Sequence, residues 1–101
     1  MDSVRAKRRA GETKLVLDSV LDVSRAQALY RTLDQALGQS APIVMDGSRV
    51  ERVDTAAVQM LAAFGRAAHE RGLKLKWQAP SAALRQAVDL LGLGAMCGFE
   101  A

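Results

Sequence analysis

Short apolar runs alternate along this chain with longer stretches whose apolar residues recur at helical spacing, and that alternation constrains the fold more than any other feature. Leu15-Val16-Leu17 precedes a stretch in which Ala26, Leu29, Tyr30, Leu33, Ala36 and Leu37 form one apolar stripe. Pro42-Ile43-Val44-Met45-Asp46 precedes a second helical stretch, Thr55 to Arg71, with Val58, Leu61, Ala62, Gly65 and Ala68 on one face. Leu73-Lys74-Leu75-Lys76-Trp77 alternates strictly, as a strand does with one face packed and one wet. It precedes a third helix, opened by Pro80-Ser81, with Leu84, Ala87, Val88 and Leu91 at i, i+3, i+4 and i+7. Strands alternating with helices imply an α/β fold whose sheet is largely parallel and joined by right-handed crossovers.

Local signals set the boundaries. Gly11-Glu12 between Val4–Arg9 and Thr13–Asp18 predicts a β-hairpin at the start. Ser24 with Gln27 reads as a capping box for the first helix, and Gly38 as its left-handed end. Gly72 stops the second helix; Gly92 and Gly94 close the third, leaving Ala95 to Phe99 as a short tail or last strand. The order is β-β-α-β-α-β-α, with three helices able to pack on one face. The continuous run Leu15-Val16-Leu17 predicts a strand covered on both sides, and Ile43-Val44-Met45 a central one.

At 101 residues the chain suits a single domain, residues 1–101. No apolar run approaches the roughly 20 residues of a membrane span. Met1 to Ala10 lacks the apolar stretch of a secretory signal. Cys97 is the single cysteine, so no internal disulfide forms and a reducing cytoplasm is expected. Of the net charge of +3, the source is local: Arg5, Lys7, Arg8 and Arg9 face only Asp2 in the first nine residues, and the remainder balances. This predicts an edge strand whose charges block aggregation, rather than a basic face spread over the fold. No aromatic residues interleave with these cations, so nucleic-acid binding is not expected.

The chain carries no GxxxxGK loop and no GxGxxG. His69 and Cys97, each the single residue of its type, do not supply a zinc site. Cys97 reads as a small buried apolar residue, and His69 as an ordinary residue of a helix end. Of Asp18, Asp22, Asp46 and Asp54, three fall at strand ends or helix starts, where turns and caps account for them. No catalytic residues, cofactor or metal are expected.

The segment Val44-Met45-Asp46-Gly47-Ser48-Arg49-Val50-Glu51-Arg52-Val53-Asp54-Thr55-Ala56-Ala57-Val58 resembles the signature of STAS domains. That bacterial-rich family includes anti-sigma-factor antagonists, STAS subunits of lipid-transport ABC systems and the cytoplasmic tails of sulfate transporters. Asp46 and Ser48 match the first half of the pattern; Val53, Asp54, Thr55, Ala56 and Val58 match the second. Ala57 stands where the family commonly has glycine. Leu15 to Ala26 and Pro80 to Leu93 resemble the family's strand into the first helix and its closing helix. The resemblance implies an anti-sigma-factor antagonist-like fold: a mostly parallel four-stranded sheet, a β-hairpin start and three to four helices.

It also implies a non-catalytic, protein-binding regulator. In antagonist members the Ser/Thr at the position of Thr55 accepts phosphate from a partner kinase, which makes Thr55 the expected phosphoacceptor. A helix start tolerates a phosphate, and the added charge of about −1.5 to −2 would repel a docked partner. The expected interface is Ser48, Arg52, Asp54, Thr55, Ala56, Gln59, Met60 and Ala63, with Gln59, Met60, Ala63 and Arg66 facing solvent. The partner implied is an anti-sigma factor or a chemotaxis-type Ser/Thr or His kinase. Ser48 to Thr55 also resembles the accessory STAS subunit of phospholipid-transport ABC systems, whose helix start presses on an ABC ATPase without phosphate. A small enzyme or nucleotide binder using the Asp54-Thr55 helix mouth is the third alternative. Oligomeric state stays open, and no direct membrane insertion is expected.

Overall fold

The computed structural model describes residues 4–9, 11–22, 24, 26–97 and 99. Strands β1 (Val4–Arg9) and β2 (Glu12–Leu17) form the expected hairpin, antiparallel from Val4 opposite Leu17 to Arg9 opposite Glu12. Strand β3 (Val20–Leu21) leads to helix α1 (Ala26–Gly38). Strand β4 (Ile43–Asp46) and strand β5 (Arg52–Val53) precede helix α2 (Thr55–Glu70). Strand β6 (Leu75–Gln78), helix α3 (Ala82–Leu90) and the short helix α4 (Gly94–Cys97) complete the order. The main sheet runs β1-β2-β4-β6, with β2, β4 and β6 parallel; β3 and β5 pair in parallel apart from it.

Pairing explains which side chains are buried. Leu15, Met45 and Trp77 lie in one cross-strand row, and Thr13, Ile43 and Leu75 in the next. These rows face the helices: Leu15, Ile43 and Met45 are buried, Leu75 and Trp77 half-buried. The alternate residues Lys14, Val16, Val44 and Asp46 are only half-covered. The expectation that Leu15-Val16-Leu17 is covered on both sides is therefore corrected. A run of three apolar residues has no period of its own, and the helices cover one face of the sheet.

Helix α2 is the most deeply packed, burying Ala57, Val58, Leu61, Ala62, Phe64, Gly65 and Ala68. Helix α1 buries Leu29, Leu33, Ala36 and Leu37, but Tyr30, assigned to its stripe, is 58% exposed. Helix α1 begins at Ala26, and the Ser24 hydroxyl donates to the Asp22 carboxylate at 2.6 Å rather than forming the expected capping box. The expected box needs Ser24 directly ahead of the helix, and α1 starts one residue later than that. The left-handed residue after α1 is Ser40 (φ 55°), not Gly38, whereas Gly72 (φ 71°) and Gly92 (φ 67°) do follow α2 and α3 as expected. The tail forms α4 instead of a last strand. It is tied to β6 by Trp77, whose indole N–H donates to the Cys97 carbonyl at 2.8 Å and whose ring meets Phe99 edge-on at 4.7 Å.

Inside this core, the buried Thr13 hydroxyl has no hydrogen-bond partner among the described residues. Desolvating an unpaired hydroxyl costs about 1–3 kcal/mol. Thr13→Val keeps the shape and removes the polar atom, so it should stabilise the fold by about 1 kcal/mol, or roughly 4–8 °C in thermal midpoint for a domain of this size. Thermal unfolding followed by circular dichroism checks this, and an unchanged or lower midpoint would contradict it.

Candidate functional site

The two short strands missing from the sequence reading build the candidate site. The Ser19 carbonyl accepts from Glu51 N (2.8 Å) and Arg52 N (3.0 Å), and the Leu21 carbonyl accepts from Asp54 N (3.0 Å). Val20 and Leu21 thereby pair with Arg52 and Val53. Each short strand is followed directly by an aspartate, Asp22 or Asp54, and Asp54 stands immediately ahead of α2. With Val20, Leu21, Arg52 and Val53 these aspartates line a shallow cleft of about 220 Å³. The sequence signal was there: Val20-Leu21-Asp22 and Arg52-Val53-Asp54 are similar triplets. Two residues are too few to show a strand period.

Asp54 caps α2, its carboxylate accepting from Ala57 N at 3.0 Å while its backbone is extended (φ −94°, ψ 170°). The Val58 N–H donates to the Asp54 carbonyl at 3.1 Å, closing the first turn. Thr55, the first helical residue, is therefore held by its neighbour's cap, and its own side chain is exposed. Ala56, Gln59, Ala63 and Arg66 are exposed along the same helix. Ala57, at the position where the family pattern has glycine, is 1% exposed. Its methyl group is accommodated by the core.

Replacing Asp54 by alanine removes the acceptor for Ala57 N. The loss should be about 1 kcal/mol, and Asp54→Ser should restore most of it. Urea denaturation of the two variants checks this; equal stability of Asp54→Ala and wild type would contradict it.

Met60, expected to face solvent, is half-buried against the core. It lies in a groove of about 250 Å³ between α1 and α2, whose walls include Tyr30, Leu33, Leu37, Ala63 and Phe64. Sequence reasoning missed this groove because Tyr30 looked like a core residue. Arg52 is exposed beside the Asp22–Asp54 cleft. Ser48 belongs to a different local structure, the turn after β4. Its N–H (3.0 Å) and hydroxyl (2.7 Å) both donate to Asp46, and these bonds hold that carboxyl below its usual range. The Gly47 carbonyl beside it accepts from Ser81 N at the start of α3, at 3.1 Å.

The remaining reactive side chains are placed elsewhere. Cys97 is fully buried, and burial pushes its thiol up to about 11. A thiol so protonated is a poor nucleophile near neutral pH. His69 is exposed near the end of α2, on a cleft shared with Arg66, Leu73 and Met96. Among the described residues, no three His, Cys, Asp or Glu side chains come together as a metal-binding group. Among the same residues, no helix is long and apolar enough to cross a membrane.

Known structures share this architecture. An anti-sigma factor antagonist from Mycobacterium paratuberculosis matches with a TM-score of 0.74 at 23% identity, over 91% of this chain and 79% of that one. The anti-sigma factor antagonist SpoIIAA in its unphosphorylated form matches with a TM-score of 0.75 at 18% identity, over 92% of this chain and 84% of that one. The phosphorylated form of this Bacillus cell fate determinant gives 0.73 at 18% identity, over 92% of this chain and 86% of that one. Mglu matches with a TM-score of 0.68 at 23% identity over 79% of this chain, which corresponds to only 20% of the Mglu chain. No curated protein matches in sequence. The family model described as "Mlab, STAS domain" matches residues 4–98, and the chain belongs to the STAS domain family.

Proposed function

We propose that this STAS domain is a non-catalytic regulator that binds a protein partner through the start of α2 and is switched by phosphorylation of Thr55. The observation carrying this reading is the placement of Thr55: exposed, first in the helix, with the cap supplied by Asp54. The Thr55 hydroxyl is thus free of the capping role and open to a kinase. A phosphate there sits at the positive end of the helix dipole, so the fold tolerates it. The same phosphate adds about −1.5 to −2 charges beside Asp54 and Asp22, raising repulsion toward any docked acidic surface. The likeness to SpoIIAA, solved in phosphorylated and unphosphorylated forms, supports an anti-sigma factor or chemotaxis-type kinase as partner.

The second reading rests on the stretch Ser48 to Thr55, which resembles that of STAS subunits in phospholipid-transport ABC systems. There the same helix start would press on an ABC ATPase with Thr55 unmodified. Affinity capture from the native cell extract, with phosphosite mass spectrometry on the recovered protein, separates the two. A kinase-type ATPase together with phosphate on Thr55 is the expected result. An ABC ATPase with Thr55 unmodified would replace the switch reading by the second one.

A further inference from the structure

The basic N-terminal segment has no role in the α2 surface, and the sheet gives it one. The expected edge position is found: β1 is an edge of the main sheet. Strand pairing then sets further lysines beside it. Pairing sets Lys7 opposite Lys14, Lys14 opposite Val44 and Val44 opposite Lys76, so residues far apart in sequence fall into one row across four strands. In the neighbouring rows Arg5 stands opposite Val16, and Arg9 opposite Glu12. Lys74 continues the exposed series two residues before Lys76. With strands about 4.8 Å apart, the row from Lys7 to Lys76 spans roughly 14 Å. Lys14 and Lys76 stand two strands apart, about 10 Å, near the Debye length of about 8 Å at physiological salt, so their fields overlap in part. Among the described residues the acidic ones here are Glu12 and Asp46, whose carboxylate the Ser48 hydrogen bonds and the nearby Lys14 keep ionised.

We propose that the helix-free face of the main sheet is an electrostatic docking surface for an anionic lipid bilayer. Its composition discriminates between occupants. Protein interfaces are depleted of lysine and enriched in aromatic residues and methionine. This face reverses both trends: Lys14, Lys74 and Lys76 surround the half-exposed Val16 and Val44. Single-stranded nucleic acid calls for aromatic platforms, and Tyr30, Phe64 and Trp77 belong to the α1–α2 groove and the core side instead. Duplex DNA is a cylinder and meets a sheet face along a strip, whereas a bilayer meets the whole of it. Lysines are point charges on flexible stems, suited to a fluid array of headgroups rather than to a fixed bidentate partner. The lipid face and the α2 surface are separate, so one domain can hold a partner while resting on a membrane.

Co-sedimentation of the full chain with phosphatidylcholine vesicles, with and without phosphatidylglycerol, tests this. Binding should require phosphatidylglycerol and weaken as salt rises. Each lysine near an anionic surface is worth about fivefold in partition, so Lys14→Gln/Lys76→Gln should lower it about 25-fold. Lys74→Gln/Lys76→Gln changes two exposed residues and should do the same, which covers a folding defect caused by the half-buried Lys14. Thr55→Glu should bind vesicles as wild type does, which keeps this inference distinct from the partner switch. Equal sedimentation with both vesicle types, no sedimentation with either, or unchanged binding by both double variants would overturn it. Binding to polyglutamate or duplex DNA without binding to anionic vesicles would overturn it as well.

Discussion

Thr55→Glu should weaken partner binding at least about tenfold, equivalent to about 1.4 kcal/mol, while leaving the fold intact. Both halves of this expectation follow from one position. Thr55 is the first residue of α2 and its side chain is exposed, and a carboxylate in the first helical turn interacts favourably with the helix dipole. The variant therefore does not unfold, and a loss of affinity reports the interface. Under the proposed switch the new charge adds to that of Asp54, and against acidic groups of a docked partner it costs more than the helix gains, because like charges brought together across an interface are penalised by several kcal/mol. Thr55→Ala removes the hydroxyl and adds no charge, so it should keep near-native affinity and become insensitive to the partner kinase. Calorimetric titration of both variants into the purified partner checks the pair. Wild-type affinity for Thr55→Glu would remove the switch.

Gly65→Ala should cost about 1–3 kcal/mol of stability net, even though alanine is the better helix former. In an open helix the exchange would gain up to about 1 kcal/mol. At Gly65 a Cβ would overlap the carbonyl oxygen of Met96 and crowd the Cys97 backbone. No side-chain rotation relieves a clash with backbone, so α4 must move away from α2. That shift uncovers Cys97 and loosens the Trp77–Cys97 hydrogen bond. The expected fall in thermal midpoint is roughly 4–20 °C. Trp77 is the single tryptophan, so red-shifted emission should accompany the fall. Gly38→Ala is the control: nothing lies within 4 Å of a Cβ built there, and that variant should be neutral or slightly stabilised. Equal behaviour of the two variants would contradict the tight α2–α4 contact.

Long periodic segments carried the fold in the sequence. Leu29, Leu33, Ala36 and Leu37, then Val58, Leu61, Ala62 and Ala68, occupy the buried faces that their spacing implies. Periodicity fails where segments are short or where pairing decides the outcome. Val20-Leu21 and Arg52-Val53 are too short to show a strand period, and they pair because β2 and β4 bring them side by side. Val16 is apolar in an apolar run, yet half-exposed, because coverage depends on where helices land rather than on the strand itself. Tyr30 fits the α1 stripe but stands at its edge, where it borders a groove instead of the core.

The candidate site divides in the same way. Asp54 and Thr55 were legible because capping is a local property, and the structure places them at the start of α2. Ser48 was grouped with them by the family pattern, but its hydroxyl serves the turn after β4. Met60 was placed outward by helical spacing, yet the groove with Tyr30 and Leu33 half-buries it. The lysine row was invisible because Lys14 and Lys76 meet only through β4.

The central claim is that the partner docks on the first turns of α2. Its most direct test is a nuclear magnetic resonance titration of isotope-labelled protein with the captured partner, reading which backbone amides shift. The account expects the largest shifts at Thr55, Ala56, Gln59, Met60 and Ala63, with smaller ones at Asp22 and Tyr30. Shifts concentrated on Lys14, Val44 and Lys76, with α2 unperturbed, would contradict it.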